Sequence, residues 1–199
     1  MSRARPVALT IAGSDSSGGA GIVADLKTFE AHGVWGTAAI TAVTAQNTLG
    51  VQAVETVSPE LVRAQMASVV ADLGVDAAKT GMLGSAEVVE AVVMTVTELG
   101  VRPLVVDPVM VASTGSRLLD LGAVEAVCDL LLPRATVVTP NLAEAAALTG
   151  LEVVDRDGME RAARALADLG PDVVLVKGGH LDGDASPDLL LVAGHEPAW

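Results

Sequence analysis

The sequence predicts an α/β protein in which a mostly parallel central sheet carries helices on both faces. Short apolar runs rich in β-branched residues alternate with longer segments of helical periodicity, the order that produces βαβ units. The apolar runs are nearly continuous, which is typical of strands buried on both faces. Mean hydropathy is +0.51 and aromatic residues make up 2% of the chain, so we expect one domain over residues 1–199 with an aliphatic core.

Six apolar runs are predicted as strands of this sheet because each is short and is followed by loop residues. They cover residues 6–12, 37–44, 76–80, 104–106, 136–138 and 173–176. Residues 51–57 place apolar side chains at even spacing, interrupted by Glu55, which predicts a half-exposed strand outside the main sheet and over the site. Residues 189–192 begin a further strand.

Helices are predicted between the strands, where the apolar residues follow a helical period. They cover residues 20–32, 59–73, 85–99, 121–131, 141–148 and 156–169. Ser58 before Pro59 is typical of a helix N-cap, and glycines at positions 74, 100 and 170 close three of the helices.

The loop after the first strand is unusually rich in glycine. Gly13, Gly18, Gly19 and Gly21 fall within nine positions, between a buried strand and a helix. Glycine loses side-chain packing and conformational entropy, so a plain strand-to-helix turn would need fewer of them. The pattern favours close approach of the backbone to a ligand, and the start of the helix suits an anion or a polar ring.

Composition excludes several classes of function. A net charge of −13 leaves no basic stripe for nucleic acid or an anionic membrane. The chain has neither an apolar run of membrane-spanning length nor the apolar stretch of a signal peptide, so we expect a cytoplasmic protein. Cys128 is the single cysteine, lies in an apolar helical pattern, and is predicted to be a core residue rather than a nucleophile.

Known phosphate and metal motifs fit poorly. Gly13 to Gly18 has the glycine spacing of a P-loop, but Gly19-Ala20 stands where lysine and a hydroxyl residue are required. Residues 19–24 match a dinucleotide fingerprint, yet they lie well past the end of the strand and no acidic ribose acceptor follows. The three histidines share no zinc-ligand spacing with Cys128.

Polar residues instead follow nearly every predicted strand at the same end, the edge at which open α/β sheets bind ligands. They are Gly13, Asp15, Gln46, Asn47, Lys79, Thr80, Asp107, Asn141 and Lys177. Asp107 with Asn141 and Glu144 offers the oxygen ligands that Mg²⁺ prefers, although Asn141 and Glu144 also match a helix capping box. Lys177 ends an apolar strand, where its ammonium needs either a nucleotide phosphate or a carboxylate.

Six motifs together resemble the hydroxymethylpyrimidine/phosphomethylpyrimidine kinases of thiamine biosynthesis, which belong to the ribokinase-like superfamily. In order they are residues 12–22 (AGSDSSGGAGI), 44–48 (TAQNT), 79–82 (KTGM), 106–110 (VDPVM), 139–144 (TPNLAE) and 176–180 (VKGGH). The resemblance implies a ribokinase-like fold and MgATP-dependent phosphorylation of 4-amino-5-hydroxymethyl-2-methylpyrimidine and of its monophosphate. It also implies a homodimer.

The same resemblance assigns roles to residues. Gln46 is expected to recognise the polar edge of the pyrimidine, helped by Asp25 and the backbone at Gly13, while Met82 and Val109 cover the faces of the ring. For the last two, ordinary core packing is the alternative. Lys177 is expected to bind an ATP phosphate. The expected Mg²⁺ ligands, direct or through water, are Asp107, Asn141 and Glu144.

One family motif does not occur in the sequence. The family carries Gly-Thr-Gly-Cys after the lysine strand, where it forms an anion hole and supplies the catalytic cysteine, and this chain reaches Trp199 without a match to it. The family cysteine is therefore expected beyond Trp199, and no catalytic residue is assigned within the 199 residues. The expectation is a C-terminally truncated kinase without detectable turnover, rather than a natural pseudo-kinase. A pyridoxal kinase and a non-catalytic pyrimidine-binding protein are the alternative functions.

Overall fold

The computed structural model describes residues 5–110, 121–179 and 186–199. The strands are β1 (Val7–Ala12), β2 (Trp35–Ile40), β3 (Ala42–Asn47), β4 (Gly50–Thr56), β5 (Ala77–Thr80), β6 (Leu104–Val106), β7 (Val137–Val138), β8 (Val173–Val176) and β9 (Leu189–Val192). The α-helices are α1 (Gly21–Ala31), α2 (Pro59–Asp72), α3 (Ala86–Glu98), α4 (Leu121–Ala126), α5 (Leu142–Thr149) and α6 (Arg156–Ala167). His180, the last residue of the VKGGH motif, lies outside the described residues.

Seven of these strands form one sheet in the order β2-β1-β5-β6-β7-β8-β9. Neighbouring strands are parallel except for β9, which runs antiparallel to β8. Helix α1 lies between β1 and β2, α3 between β5 and β6, and α5 and α6 between β7 and β8, as connections between parallel strands require. The predicted α/β class and mostly parallel sheet are confirmed, and so is the strand expected at residues 189–192.

The core is aliphatic, as the composition predicts. Leu9 and Ile11 of β1 are fully buried and belong to the same hydrophobic cluster as Met66 of α2 and Val89 and Val92 of α3. Ser58 caps α2, because its hydroxyl accepts a hydrogen bond from the backbone N–H of Leu61 at 3.3 Å. Within the described ranges, no helix is both long and apolar enough to cross a membrane.

The single strand predicted over residues 37–44 is wrong, because the chain leaves the main sheet at Thr41. The backbone N–H of Thr41 donates to the carbonyl of Ala12 at 3.0 Å, and its hydroxyl donates to the carbonyl of Met82 at 2.7 Å. These bonds end β2 at Ile40 and turn the chain into β3, which pairs with β4 in a separate two-stranded sheet. The prediction of a strand outside the main sheet at residues 51–57 is confirmed by β4, although most of its residues are exposed rather than half-exposed. Its position over the site stays a prediction.

The helix predicted over residues 121–131 changes its geometry part-way. α4 ends at Ala126, a wider π-type turn continues over Val127–Leu131, and a 3₁₀ turn follows over Leu132–Arg134. Pro133 accounts for the end of the helix, because it has no N–H to continue the hydrogen-bond ladder.

Candidate active site

A cavity of about 310 Å³ lies at the carboxyl ends of β1, β5 and β6. It is lined by Ala12, Gly13, Ser14, Asp15, Ala20, Gly21, Ala24, Asp25, Thr44, Gln46, Lys79, Gly81, Met82, Asp107 and Val109. The five residues expected to bind the pyrimidine, namely Gly13, Asp25, Gln46, Met82 and Val109, are all in this lining. Residues from well-separated stretches of sequence therefore meet at one edge of the sheet.

The glycine-rich loop is organised around the carboxylate of Asp15, which is 3% exposed. Its oxygens accept hydrogen bonds from the N–H and hydroxyl of Ser17 and from the N–H groups of Gly19 and Ala20, at 2.8 to 3.0 Å. Burial alone would raise the pKa of Asp15, but these hydrogen bonds together lower it below its usual value. The N–H groups of Gly19 and Ala20, just before α1, are thus satisfied by the chain's own carboxylate.

Gly21 is required by the geometry of the loop. Gly21 has φ +57°, and a Cβ there would collide with the carbonyl oxygen of Gly13. That carbonyl accepts the N–H of Ile22 at 3.0 Å and so fixes the beginning of α1. A Cβ at Gly13 would meet Cε of Met82, so these two cavity residues pack directly together. Close backbone packing explains part of the glycine content.

Strand β3 is attached to the loop by two serines. The hydroxyl of Ser16 donates to the carbonyl of Gln46 at 2.8 Å and accepts its N–H at 2.7 Å. Ser14 accepts the N–H of Thr44 at 3.0 Å, and the hydroxyl of Thr44 donates to the carbonyl of Ser14 at 2.9 Å. The strand register shifts between Ala45 and Gln46, so a bulge lies directly beside the glutamine. The serine hydrogen bonds to the backbone of Thr44 and Gln46 therefore fix the position from which the Gln46 side chain reaches the cavity.

Four charges of alternating sign lie at this edge of the sheet, of which Asp25, Lys79 and Asp107 line the cavity and Lys177 does not. Lys79 Nζ lies 3.0 Å from Asp25 Oδ1 and 3.6 Å from Asp107 Oδ2. Lys177 Nζ lies 2.9 Å from Asp107 Oδ1. Two lysines therefore neutralise two carboxylates, and the carboxylate partner left open for Lys177 by the sequence is Asp107.

Asn141 and Glu144 form the capping box that was their alternative role. The side chain of Asn141 accepts the N–H of Glu144 at 2.9 Å, and Glu144 Oε2 accepts the N–H of Asn141 at 2.8 Å. Glu144 is buried, and desolvation raises its pKa despite the opposing effects of the Asn141 hydrogen bond and the charge of Lys177. Neither residue lines the cavity. Both lie near Lys177, because Asn141 forms an isolated parallel β-bridge with Lys177 and the charge of Lys177 acts on Glu144.

Comparison with known proteins identifies the family. The family model for phosphomethylpyrimidine kinase matches residues 15–198. The chain belongs to the phosphomethylpyrimidine kinase family. A hydroxymethylpyrimidine/phosphomethylpyrimidine kinase from Synechococcus elongatus is 54% identical over 90% of this chain and 68% of its own length. One from Streptomyces coelicolor is 54% identical over 98% of this chain and 71% of its own length.

Solved structures of this family and of a related one share the fold. The phosphomethylpyrimidine kinase of Clostridium difficile superposes with a TM-score of 0.89 at 44% identity, covering 97% of this chain and 84% of that one. The pyridoxal kinase of Staphylococcus aureus, in complex with AMP-PCP and pyridoxal, gives a TM-score of 0.86 at 38% identity and covers 96% and 70%. The fold expected from the family resemblance is confirmed as ribokinase-like.

The expected Mg²⁺ ligands suit a magnesium ion that arrives with a nucleotide, rather than a metal that the protein holds by itself. The described residues contain no cluster of three or more histidine, cysteine, aspartate or glutamate side chains placed to hold a metal. Both oxygens of Asp107 face lysines, and the capping box engages Asn141 and Glu144. Mg²⁺ that accompanies a nucleotide needs only one or two carboxylates, because phosphate oxygens and water complete its shell. This set fits such an ion rather than a resident metal.

Two residues of the site were not assigned a role by the sequence. Lys79 lies one residue before the end of β5 and Lys177 directly follows β8, so the same argument from a partly buried ammonium could have found Lys79. Asp15 was visible only as one more polar residue of the loop, because its hydrogen bonds depend on the folded turn.

Cys128 and Trp199 both lie outside the site. The thiol of Cys128 donates to the carbonyl of Leu148 at 3.6 Å, and burial, with the nearby Asp129, raises its pKa. Trp199 does not line the cavity: its side chain is 49% exposed, and the guanidinium of Arg156 stands over its ring at 4.9 Å from the centroid. Trp199 therefore makes a cation–π contact at the start of α6. That the family cysteine lies beyond Trp199 stays a prediction.

Proposed function

We propose that this chain is a kinase that uses MgATP to phosphorylate 4-amino-5-hydroxymethyl-2-methylpyrimidine on its hydroxymethyl group and then phosphorylates the resulting monophosphate, in thiamine biosynthesis. The single observation that carries the proposal is the cavity that gathers Gln46, Asp25 and Asp107 around one small volume. At about 310 Å³ it has the size of a site for one small heterocycle.

Recognition of the ring falls to groups of complementary chemistry. The amide of Gln46 donates and accepts, as the amino group and ring nitrogen of an aminopyrimidine require. Asp25 is an acceptor for the amino group, and the backbone at Gly13 offers a further polar contact. Met82 and Val109 supply apolar contacts to the faces of the ring, the kind of contact that a chain with 2% aromatic residues has available.

The phosphate end of the reaction is assigned to Asp107 and Lys177. The ammonium of Lys177, whose side chain is 40% exposed, can contact a nucleotide phosphate without leaving the site. Mg²⁺ bound with the nucleotide would supply positive charge to the phosphate oxygens. Asp107, Asn141 and Glu144 would hold this ion through water. Positioning and charge neutralisation are the main contributions of a protein to phosphoryl transfer.

The base for the hydroxymethyl oxygen is proposed to lie in a Gly-Thr-Gly-Cys segment, as the family resemblance implies. The 199 residues contain no such segment, and Cys128 is engaged with the carbonyl of Leu148. The residues described here are therefore assigned to binding and charge neutralisation.

Calorimetry tests the binding part of the proposal directly. The pyrimidine alcohol is titrated into the wild-type chain, into Gln46→Met and into Gln52→Met, a matched change on the exposed strand of the same hairpin. We expect the wild type to bind, Gln46→Met to bind roughly 10- to 100-fold more weakly through the loss of two hydrogen bonds, and Gln52→Met to resemble the wild type. No measurable heat with the pyrimidine would contradict the proposal.

Two further titrations separate this function from its alternatives. Tighter binding of pyridoxal than of the pyrimidine would favour a pyridoxal kinase. Pyrimidine binding that AMP-PCP with Mg²⁺ neither follows nor changes would favour a non-catalytic binding protein. The homodimer that the resemblance implies and the expected cytoplasmic location stay predictions, and sedimentation velocity tests the first of them.

A further inference from the structure

Lys79 is held in the middle of the site by its strand register. It pairs with Thr10 across β1 and β5, so both side chains point to the same face of the sheet. Asp25 of α1 meets them there: Lys79 Nζ donates to Asp25 Oδ1 and Oδ2 at 3.0 and 3.1 Å, and the hydroxyl of Thr10 donates to Oδ2 at 2.6 Å. Three hydrogen bonds therefore fix the plane of the Asp25 carboxylate.

The two carboxylates of the site depend on Lys79 to different degrees. Asp107 has a second cation, Lys177, at 2.9 Å, whereas the described ion pairs of Asp25 involve Lys79 alone. The side chains of Lys79 and Asp25 are 22% and 16% exposed, so solvent screens their attraction only partly. Loss of the lysine would leave Asp25 as a partly buried charge with a hydroxyl as its remaining described side-chain donor.

Room around the ammonium is limited as well. A Cβ at Gly81 would stand 3.0 Å from Cβ of Ala12 and 3.4 Å from Nζ of Lys79. The ammonium thus packs against the backbone of the following turn, which keeps it between the two carboxylates.

We propose that Lys79 is a positioning residue for the pyrimidine, acting by fixing the Asp25 carboxylate in the orientation that contacts the ring. This inference rests on the proposed function, in which Asp25 contacts the pyrimidine. It assigns to Lys79 an indirect effect on pyrimidine affinity, transmitted through one carboxylate, in place of a general role in stability.

A double-mutant cycle measured by calorimetry tests this route. The pyrimidine alcohol is titrated into wild type, Lys79→Met, Asp25→Asn, the double variant and Lys79→Arg. We expect Lys79→Met to weaken binding by roughly 10- to 100-fold in the wild-type background but by less than about threefold in the Asp25→Asn background, because Asp25 transmits the effect. Lys79→Arg keeps the charge and donors and should recover most of the affinity. Arg102→Met, which removes an exposed ion pair with Asp172 away from the cavity, serves as the control.

Equal loss of affinity in both backgrounds, or wild-type binding by Lys79→Met, would overturn the inference. The single variant carries the greatest risk of unfolding, since it leaves a buried charge without its partner. Lys79→Gln, which keeps a hydrogen-bond donor, then replaces it and should show the same non-additivity with Asp25→Asn.

Crystal structures without ligand give a readout that does not depend on the pyrimidine. In Lys79→Met, or in its substitute, the Asp25 carboxylate should rotate away from its wild-type orientation. If the wild-type chain binds no pyrimidine, the proposed function fails, while the position of Asp25 still decides the role of Lys79. A carboxylate that keeps its orientation without the lysine refutes the positioning role in either case.

Discussion

Lys177 and Asp107 form an ion pair of 2.9 Å although their strands are not neighbours in the sheet. Asp107 follows β6 and Lys177 follows β8, so the pair reaches across the end of β7. Thr139, which follows β7, contributes a weak contact of 3.4 Å to the same carboxylate oxygen. Three consecutive strand ends thereby converge on one oxygen, at the edge assigned to the nucleotide phosphates.

Lys177→Met is expected to weaken nucleotide binding selectively. The variant removes the cation assigned to an ATP phosphate, while Lys79 still faces the Asp107 carboxylate. The affinity for AMP-PCP with Mg²⁺ should fall about 10- to 100-fold, the effect of losing one charged hydrogen bond, and that for the pyrimidine should change less than about threefold. Calorimetry measures both. Arg102→Met, which removes an exposed ion pair with Asp172 away from the site, is the matched control. An equal loss of affinity for AMP-PCP and for the pyrimidine in Lys177→Met would point to damage of the whole site.

Asp15→Asn is expected to destabilise the protein at neutral pH. The carboxylate accepts hydrogen bonds from Ser17, Gly19 and Ala20, and an amide cannot replace all of them, so we expect a loss of about 2 kcal/mol in the free energy of unfolding. Because the folded-state pKa of Asp15 is lowered, its contribution is fully present above its usual pKa of 3.8 and is lost as pH falls through the folded value.

Urea unfolding at pH 7 and near pH 3 measures this difference. The stability gap between wild type and Asp15→Asn should be largest at pH 7 and should narrow in acid. A gap that stays constant over this range would mean that the ionised form of Asp15 contributes nothing to the folded loop.

Gly21→Ala and Gly33→Ala separate backbone strain from steric collision. Both glycines have positive φ, +57° and +72°, but nothing lies within 4 Å of a Cβ at Gly33, whereas a Cβ at Gly21 meets the Gly13 carbonyl. We expect Gly33→Ala to cost about 1 kcal/mol and Gly21→Ala about 3 kcal/mol or more. Thermal and urea unfolding compare the two. Similar costs would show that the loop shifts to accept the side chain.

The sequence was sufficient for those parts of the site that depend on strand ends. Asp107 and Lys177 each follow an apolar run, and parallel strands bring such ends to one edge. Gln46 instead lies within β3 of the separate antiparallel hairpin. The sequence was not sufficient at Thr41, because residues 37–44 read as one apolar strand and only bonds to Ala12 and Met82 divide it. The local pattern of apolar residues carries no information about hydrogen bonds to backbone groups that are distant in sequence.

The charge partners of the site were beyond the sequence for the same reason. Asp25 and Lys79 are 54 residues apart in sequence, and their contact depends on how α1 is positioned relative to β5 in the folded protein. The sequence indicated that the start of α1 suits an anion or a polar ring, and it could not reveal that Asp15 folds back onto the N–H groups of Gly19 and Ala20. In each case the residue type predicted that a charged group needs a partner, and the fold determined which group it contacts.

Thr80→Val is expected to leave stability unchanged or to raise the free energy of unfolding by about 1 kcal/mol. Among the buried side-chain nitrogen and oxygen atoms of the described residues, Thr80 Oγ1 is the one without a hydrogen-bond partner, and the residue is fully buried. Replacing a desolvated, unpaired hydroxyl with a methyl group removes a cost at nearly constant volume. Thr37→Val is the matched comparison, because that buried hydroxyl donates to the carbonyl of Ala8 at 2.9 Å, and its loss should cost about 1–2 kcal/mol. Urea unfolding with equal m-values measures both variants, and a destabilised Thr80→Val would mean that the hydroxyl is paired in solution.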